Sequence, residues 1–321
     1  MKVRREGEGH LTKKKALFIY NPNSGRGQYN GRIVEIKDKI EALGFTCNIE
    51  ETLYPGHAIE LAQKAPADAS EGILVIMGGD GTFNECVNGF MKAGKDPLVG
   101  YIPSGTSCDI ARTLGIPKNL DKALDIIAKQ TQVRMDIANS THGYFVYVCA
   151  IGNYVDISYT TSGKLKRLLG FFAYLLTGIK EFFTIRIMPM TITIDGKPLK
   201  KQRYSLILTL NTKRVAGFRI VKSPVLDDGQ VDLVTYRYIP LMNNVLYLLS
   251  FLFHVRHFPG IKTYKVSKIE FDTPTANHWN VDGEEAGRGY QFIEVMPKAM
   301  NVIINPEKKH MFTNQGASDH E

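Results

Sequence analysis

Short apolar runs alternate with amphipathic stretches through the first half of this 321-residue chain. Apolar runs rich in β-branched residues predict buried strands, and apolar residues three or four positions apart predict helices. The predicted strands lie at 16–20, 45–50, 73–77 and 98–102, and the predicted helices lie at 33–43, 56–64, 83–91 and 119–129. Strands that alternate with helices in this way predict an α/β domain with a parallel sheet.

The pattern changes from about residue 135, where strands come to dominate the chain. Further strands are predicted at 144–151, 190–194, 204–210, 231–236, 268–272 and 292–296. Turn signals such as Asp195-Gly196 and Asp228-Gly229 separate neighbouring strands. The second half is therefore predicted to be a mostly antiparallel β-sandwich.

The strand predicted at 73–77 runs directly into Gly-Gly-Asp-Gly-Thr at 78–82, and a predicted helix follows. Three glycines in four positions allow the backbone to approach a ligand closely. Free N–H groups at the start of a helix suit a phosphate group. A bare phosphate would repel Asp80, so its carboxylate makes sense if Mg²⁺, or a water bound to it, lies between them. A tight turn without a ligand is the alternative interpretation.

Three predicted strands end in loops rich in small polar residues, after Tyr20, Met77 and Ile102. The loop at 21–25 offers amides and a hydroxyl, and the loop after Ile102 offers Thr106 and a nearby carboxylate. In a parallel α/β sheet, ligands bind beyond the carboxyl ends of the strands. The three loops are therefore expected to converge on one crevice.

Composition narrows the class of protein only moderately. The net charge of +8 fits a nucleotide, an anionic membrane or a nucleic acid, although no nucleic-acid motif accompanies it. The four cysteines lack metal-type spacing and indicate free thiols in a reducing cytosol. The charged start of the chain lacks a signal-peptide core, and the most apolar run, 245–253, is far shorter than the roughly 20 residues that span a membrane.

Two acidic motifs occur late in the chain, Leu-Asp-Asp-Gly at 226–229 and Val-Asp-Gly-Glu at 281–284. On an extended chain, Asp282 and Glu284 would project the same way. A carboxylate positioned beside a hydroxyl can accept its proton during attack on phosphorus. From the residues alone, a solvated turn is the favoured interpretation of the motif at 226–229, and an acidic turn is an equal alternative for the motif at 281–284.

Six motifs, spread over nearly the whole chain, together resemble the diacylglycerol kinase catalytic family, in particular its soluble bacterial lipid kinases. They are Asn-Pro-Asn-Ser-Gly at 21–25, Gly-Gly-Asp-Gly-Thr-Phe-Asn-Glu at 78–85, the Gly-Thr…Asp…Ala-Arg segment at 105–112, the basic and aromatic segment at 163–174, and the two acidic motifs. Gly-Gly-Asp-Gly-Thr is also shared with NAD kinases and is close to a phosphofructokinase signature. The first domain is therefore expected to have the NAD kinase or phosphofructokinase type of α/β fold.

The resemblance implies an enzyme that transfers the γ-phosphate of Mg-ATP to a lipid hydroxyl, most simply converting diacylglycerol to phosphatidic acid. ATP is then expected to contact Asn21, Pro22, Asn23, Ser24, Gly25, Thr52, Gly78, Gly79, Asp80, Gly81, Thr82, Phe83, Asn84 and Thr106. Glu284 is the implied general base, with Asp282 and Asp80 as its catalytic partners. Asp109 and Asp136 are the implied supporting carboxylates, which organise the metal and its waters.

The resemblance also implies a structural Mg²⁺ held by the Asp228 carboxylate and the main-chain oxygens of Val225 and Gln230. Cys108 stands where the family commonly has Asn, which puts the local hydrogen bonding of that loop in question. The implied nucleotide-binding domain covers 13–134 plus about 297–306, and the lipid-substrate domain covers 135–296. Residues 1–12 and 307–321 are expected to be flexible ends.

Two predicted helices, at 164–183 and 241–255, carry large apolar faces. Either helix can lie in a membrane interface, or cover the β domain and line a pocket for acyl chains, which is the favoured interpretation. The expected protein is cytoplasmic, with a membrane-lipid substrate, peripheral contact with an anionic membrane surface and no nucleic-acid partner. Related kinases suggest a homodimer.

Three alternatives to diacylglycerol phosphorylation stay open. The acceptor can be another lipid, such as phosphatidylglycerol, a sphingoid base or a polyprenol. An NAD kinase shares the glycine-rich motif but not the motif at 21–25 or the two acidic motifs. A non-catalytic relative that binds nucleotide or membrane is disfavoured because Asp80 and Glu284 are both present.

Overall fold

The computed structural model describes residues 13–153, 186–212, 214–215, 218–219, 225–240, 260–273 and 277–312. The helices predicted at 164–183 and 241–255 lie outside the described residues. Across the described ranges, the helices are α1 Ile33–Ala42, α2 His57–Ala62, α3 Asp80–Lys92, α4 Asp109–Leu114 and α5 Leu120–Lys129.

The strands of the described chain number eighteen. They are β1 Lys14–Tyr20, β2 Phe45–Glu51, β3 Asp68–Gly78, β4 Asp96–Pro103, β5 Gln132–Ser140, β6 Gly143–Phe145, β7 Val148–Gly152, β8 Met188–Ile194, β9 Lys197–Pro198, β10 Gln202–Leu210, β11 Arg214–Val215, β12 Phe218–Arg219, β13 Val231–Arg237, β14 Ile261–Val266, β15 Lys268–Asp272, β16 His278–Val281, β17 Glu284–Arg288 and β18 Gln291–Ile303.

The first part of the chain contains a parallel sheet in the order β4-β3-β1-β2. The apolar residues at 73–77 of β3 are almost completely buried, as expected for a parallel strand covered on both faces. The last residues of the strands are in register, since Tyr20 lies beside Met77 and Met77 lies beside Ile102. The predicted α/β domain is confirmed, and its loops leave the sheet at one edge.

The long strand β18 joins the parallel sheet to the rest of the protein. Its first half pairs antiparallel with β15, and its last residues pair parallel with β4, through Asn301 opposite Leu98. Along most of its length it also pairs antiparallel with β5. The sequence pattern predicts no strand at 132–140, because β5 spans the point at which alternating strands and helices give way to strands alone.

The second part is built from antiparallel strands. β10 pairs with β7, β8 and β13, β14 continues beyond β13, and the β16–β17 hairpin lies beside β7. Buried side chains from β15 and β18 share one core with side chains from β7, β10 and β16, so the two layers enclose a common interior. The predicted antiparallel sandwich is confirmed.

Two details of the sequence prediction need correction. The strand predicted at 144–151 is interrupted between β6 and β7, because the N–H groups at 146–148 bond to a side chain. The end of the chain was predicted to be flexible from Glu307, but a short 3-10 helix covers Pro306–Met311. Met311 is buried and its carbonyl accepts the N–H of Leu226 at 3.0 Å. Within the described ranges, the helices are all too short or too polar to cross a bilayer.

Trp279 provides a test of the sandwich core. Its ring is fully buried, lies 5.0 Å from the Phe271 ring and donates its N–H to the Gly289 carbonyl. Trp279→Ala should lower the free energy of unfolding by about 3–5 kcal/mol, because it removes a large core side chain. Urea denaturation measures this loss. Tyr290→Ala, at a half-exposed ring, is the control, and equal losses in both variants would contradict the assigned core.

Candidate active site

Three loops meet at the carboxyl edge of the parallel sheet, and glycines allow their close approach. A Cβ on Gly25 would lie 1.8 Å from the Ser104 carbonyl oxygen, and a Cβ on Gly105 would lie 2.6 Å from the Cα of Gly79. Any side chain at Gly25 or Gly105 would push backbone against backbone. The structure therefore brings the loops after β1, β3 and β4 together, and Ser24 Oγ lies near Gly79.

Asn21 fastens the first of these loops to the glycine-rich junction. Its N–H donates to the Met77 carbonyl at 2.9 Å, and its side-chain amide donates to Thr82 Oγ1 at 3.0 Å. Thr52 is buried beside this edge and donates its N–H to the Tyr20 carbonyl. Thr106 lies exposed in the loop after β4. These residues lie at the carboxyl edge of the sheet.

The prediction that Phe83 contacts the nucleotide needs correction. Its side chain is fully buried and packs on Tyr101, with ring centroids 4.7 Å apart. Its N–H is already bonded to the Gly79 carbonyl. Phe83 therefore anchors α3 in the core, below the surface that a ligand can reach.

The carboxylate of Asp80 caps the short helix α4. Its oxygens accept the N–H groups of Asp109 at 3.0 Å and Ile110 at 3.2 Å. Burial raises the pKa of Asp80 to about 6, while these two donors act in the opposite direction. The raised pKa means that the two N–H groups do not fully offset the free-energy cost of burying the negative charge. The carboxylate is therefore suited to bind a cation.

Cys108 occupies the turn before α4 in a left-handed conformation, with φ of 53°. Asparagine adopts this conformation more readily than most residues. The buried thiol donates to the Gly105 carbonyl at 3.2 Å, and burial raises its pKa to about 11. The loop thus retains one local hydrogen bond with cysteine in this position. The neighbouring Asp109 carboxylate is buried and lies 3.4 Å from Arg112 Nη1.

The acidic motif at 281–284 forms a two-residue hairpin turn rather than an extended segment. Val281 pairs with Glu284 across the turn, and both Asp282 and Gly283 have positive φ, 48° and 95°. This is the conformation that an Asp-Gly pair favours in a type I′ turn. The prediction that Asp282 and Glu284 project the same way is therefore wrong, and the two carboxylates have different environments.

Asp282 points into the protein, where its carboxylate has four donors. They are the N–H groups of Val146, Tyr147 and Val148, at 2.7, 3.0 and 2.8 Å, and the side-chain amide of Asn84 at 2.7 Å. Because the N–H groups at 146–148 bond to this carboxylate, the strand predicted at 144–151 breaks there. Burial raises the pKa of Asp282 to about 6 against the effect of the donors.

Asn84 was predicted to contact nucleotide, but its amide is used within the protein. It donates to Asp282 and to the Tyr144 carbonyl, and Asn88 donates to the same carbonyl one turn later on α3. Asn84 thereby fixes the hairpin to the helix that starts at the glycine-rich junction.

Glu284 lies on the exposed side of the hairpin, opposite to Asp282. Its Oε1 is 3.4 Å from the position that a Cβ on Gly81 would take. A carboxylate of the second part of the chain therefore lies directly over the first turn of α3. A larger residue at position 81 would separate the two.

Comparison with known proteins shows the family to which the chain is related. Residues 15–140 match the family model of the diacylglycerol kinase catalytic domain, and residues 155–304 match that of the YegS C-terminal NAD kinase beta sandwich-like domain. A diacylglycerol kinase from Staphylococcus carnosus is 33% identical over 279 residues, which cover 86% of this chain and 90% of that protein. The chain belongs to the diacylglycerol kinase family.

Solved structures in this family and beyond it share the fold. A diacylglycerol kinase from Bacillus anthracis superposes with a TM-score of 0.71 at 25% identity, covering 92% of this chain and 98% of that chain. An NAD kinase from Archaeoglobus fulgidus, solved with ATP, has a TM-score of 0.53 at 15% identity, covering 91% and 95%. The second likeness concerns the fold alone and supports the predicted NAD kinase type of architecture.

Asp136 was predicted as a supporting carboxylate of the family's site, but it bonds elsewhere. Its oxygens accept the N–H groups of Gly229 and Lys298, both at 2.7 Å. Lys298 lies in a bulge of β18 with φ of 53°. Asp136 therefore ties the acidic turn at 226–229 to β18. Of the carboxylates predicted at the catalytic site, the structure brings together Asp80, Asp109, Asp282 and Glu284.

The acidic turn at 226–229 already faces a cation from the protein itself. Lys265 Nζ lies 3.2 Å from Asp228 Oδ2 and 3.4 Å from Asp232 Oδ2. Lys265 stands directly opposite Asp232 on the neighbouring strand, and the N–H of Gln230 donates to Asp228 Oδ1. In the described parts of the chain, no three His, Cys, Asp or Glu side chains are grouped as metal ligands. The Mg²⁺ site at Val225, Asp228 and Gln230 stays a prediction.

Two polar residues at the site were missed in the sequence. Ser104 has a buried hydroxyl without a hydrogen-bond partner among the described residues, in the loop after β4. Tyr147 lies in the break between β6 and β7, with its hydroxyl against the 282–283 turn. Neither has a sequence signal, because a serine before glycine and a tyrosine within an apolar run are both ordinary.

The role of Lys265 can be tested by removing metal. Because the ammonium already balances Asp228 and Asp232, a chelator should leave the melting temperature of the wild type unchanged. Lys265→Met should lose about 1 kcal/mol of stability in chelator, since the partly buried Asp228 and the buried Asp232 then repel each other, and Mg²⁺ should restore it. Lys262→Met, on the same strand, is the control. A wild type that melts earlier in chelator would instead favour the structural Mg²⁺.

Proposed function

We propose that this protein is a Mg-ATP-dependent lipid kinase that transfers the γ-phosphate of ATP to the hydroxyl of diacylglycerol and forms phosphatidic acid. The observation that carries this proposal is the exposed Glu284 carboxylate over Gly81, at the start of α3. In this arrangement, a general base from the second part of the chain lies next to a phosphate-binding site in the first part. The names of the relatives supply the choice of diacylglycerol as acceptor.

The phosphate end of the reaction rests on the start of α3. The N–H groups of the first turn of a helix have no acceptor within the helix, and they favour an anion together with the helix dipole. The loop at 21–25 is held beside them by Asn21. Asp80 and Asp109 are the carboxylates that would hold Mg²⁺ or its waters, and the ion would neutralise charge on the phosphates.

The acceptor end rests on Glu284. A lipid hydroxyl next to its carboxylate loses a proton to an Oε atom as the hydroxyl oxygen attacks the γ-phosphorus, and the bond from that phosphorus to the β–γ bridging oxygen breaks, so that ADP leaves. Asp282 takes no proton in this scheme, because four donors fill its oxygens. It holds the hairpin, and therefore Glu284, in place. A positive net charge favours peripheral contact with an anionic membrane that contains the lipid.

Transfer of labelled γ-phosphate tests the proposal directly. The acceptors are diacylglycerol in anionic mixed micelles, sphingosine, phosphatidylglycerol and NAD. Wild type should label phosphatidic acid, and Glu284→Gln should lower the rate at least about 100-fold, the usual contribution of a general base. ATP affinity should stay near normal in that variant, because Glu284 faces the acceptor.

Glu294→Gln, an exposed glutamate on β18, is the matched control and should keep full activity. Label in another lipid would keep the mechanism and change the substrate. Label in NADP alone would overturn the lipid assignment. A large loss of ATP binding in Glu284→Gln would contradict its role as base.

Activity should fall as the pH drops through about 6, because burial raises the pKa of both Asp80 and Asp282 to about this value. A group whose pKa is raised on folding contributes stability that is complete below its unfolded pKa and is lost as the pH rises through the folded value. Protonation of Asp80 therefore does not favour unfolding. We expect kcat/KM to decline between about pH 7 and about pH 5.5 while the circular dichroism spectrum is retained. A flat profile over this range would show that no carboxylate required for the reaction titrates near pH 6 in the active enzyme.

A further inference from the structure

A positively charged cavity lies at one end of the antiparallel strands. Its volume is about 380 Å³, and the described residues that line it include Lys200, Lys201, Arg203 and Arg237 but no carboxylate. We call it the basic pocket. The other end of β10 lies beside Val148, whose N–H bonds to Asp282. Arg203 is therefore roughly 20 Å from the hairpin that carries Glu284, and the basic pocket is separate from the catalytic site.

Paired strands hold the cations of the basic pocket side by side. Tyr204, the residue after Arg203, lies opposite Arg237 on β13. The Arg203 carbonyl accepts the N–H of Tyr238 at 2.8 Å, and the N–H of Arg237 donates to the Gly260 carbonyl at 2.8 Å. Because neighbouring strands are about 4.8 Å apart, the backbone fixes the two arginines at adjoining positions.

The cations of the basic pocket have no counter-charge among the described residues. Their four side chains form no ion pair there. The stretches 196–226 and 233–269, which contain all four, have no Asp or Glu in their sequence. On β14, by contrast, Lys265 is balanced by Asp228 and Asp232. Like charges around one cavity repel each other, so an anion bound among them is favoured.

Phosphate groups match this set of donors. A guanidinium offers paired N–H donors to the oxygens of a phosphate, and an ammonium adds a point charge. The four cations meet at one cavity rather than along a groove. Such a site fits separate phosphate groups better than the continuous backbone of a nucleic acid, which requires a longer track of cations.

We propose that the basic pocket binds the phosphate groups of anionic phospholipids and attaches the protein to the bilayer at a point separate from the catalytic site. This inference rests on the proposed lipid-kinase function, because that function places the acceptor in a bilayer. Attachment at a second point raises the effective concentration of membrane lipid at the catalytic site. The phosphorylated product carries the same group, so attachment strengthens as product accumulates.

Vesicle sedimentation tests the basic pocket without catalysis. The vesicles are phosphatidylcholine alone, or an equal mixture with phosphatidylglycerol, and contain neither diacylglycerol nor ATP. Wild type should bind the anionic vesicles only. Arg203→Gln combined with Arg237→Gln should weaken this binding roughly 25-fold, because each cation near an anionic surface contributes a factor of roughly 5. Lys200→Gln combined with Lys201→Gln should do the same, which keeps the test valid if the arginine pair disturbs the sheet.

The matched control is Lys122→Gln combined with Lys129→Gln, which removes the same charge from exposed positions on α5. It should bind anionic vesicles nearly as wild type does. Equal losses in the control and in the pocket variants would show that only net charge matters and would overturn the proposal. Undiminished binding in both pocket variants would overturn it as well.

Two soluble competitors distinguish the sources of phosphate. At equal ionic strength, glycerol 3-phosphate should release wild type from anionic vesicles no better than sodium chloride, because one free group lacks the multiple contacts of a bilayer. Stronger release would assign the pocket to a soluble phosphate compound and overturn the lipid assignment. Tighter binding of a single-stranded oligonucleotide than of the vesicles, lost in the arginine variant, would assign the pocket to nucleic acid and also overturn it.

Binding and catalysis can fail separately in these experiments. In uncharged detergent micelles, the arginine variant should phosphorylate diacylglycerol with the wild-type kcat, because the basic pocket is remote from the reacting groups. Phosphorylation of lipid by a wild type that does not bind anionic vesicles would overturn the pocket and leave the kinase assignment intact. Pocket-dependent binding to vesicles would support the pocket even if no lipid is phosphorylated.

Discussion

The buried carboxylate of Asp282 is the interaction on which the arrangement of the site depends. Three of its four donors are consecutive backbone N–H groups that would otherwise continue a strand, and the fourth is a side chain of α3. An unpaired carboxylate in this place would be very costly, and so would four unmatched donors. The carboxylate therefore requires the four donors, and the donors require the carboxylate. This mutual requirement fixes the register in which the hairpin docks.

That docking concentrates negative charge at the edge of the parallel sheet. Asp109 and Asp282 are buried, Asp80 is partly buried, and Glu284 lies exposed above them. Burial raises the pKa of Asp80 and Asp282 to about 6, so at neutral pH the fold carries two carboxylates in an unfavourable environment. Strongly shifted carboxylates in a cleft are typical of sites that bind cations or transfer protons.

Local patterns predicted the features that depend on neighbours in sequence. The strand and glycine junction at 73–82 were recognisable from apolar runs and glycines, and the Asp195-Gly196 turn from its two residues, which both have positive φ. The same preference of an Asp-Gly pair for a tight turn holds at Asp282 and Gly283. The assumption of an extended chain there predicted the wrong direction for the Asp282 side chain.

The remaining features depend on partners distant in sequence. Asn84 and Asp282 are 198 positions apart, and Asp136 and Lys298 are 162 positions apart. The residue types at these positions suit a ligand as well as they suit each other, so only the folded chain separates the two. Phe83 illustrates the same point, since a motif residue next to a binding loop is here a core residue.

The course of β18 constrains how the two parts of the chain can move relative to each other. Its 13 residues, which include the bulge at Lys298, extend over at most about 43 Å, and β5 runs beside it. Within the described residues, two paired strands, β5 and β18, therefore join the two parts of the chain, and a relative movement of these parts would have to bend that ladder. The bulge at Lys298 is where the ladder is interrupted, so it is the point at which the described strands could bend most easily.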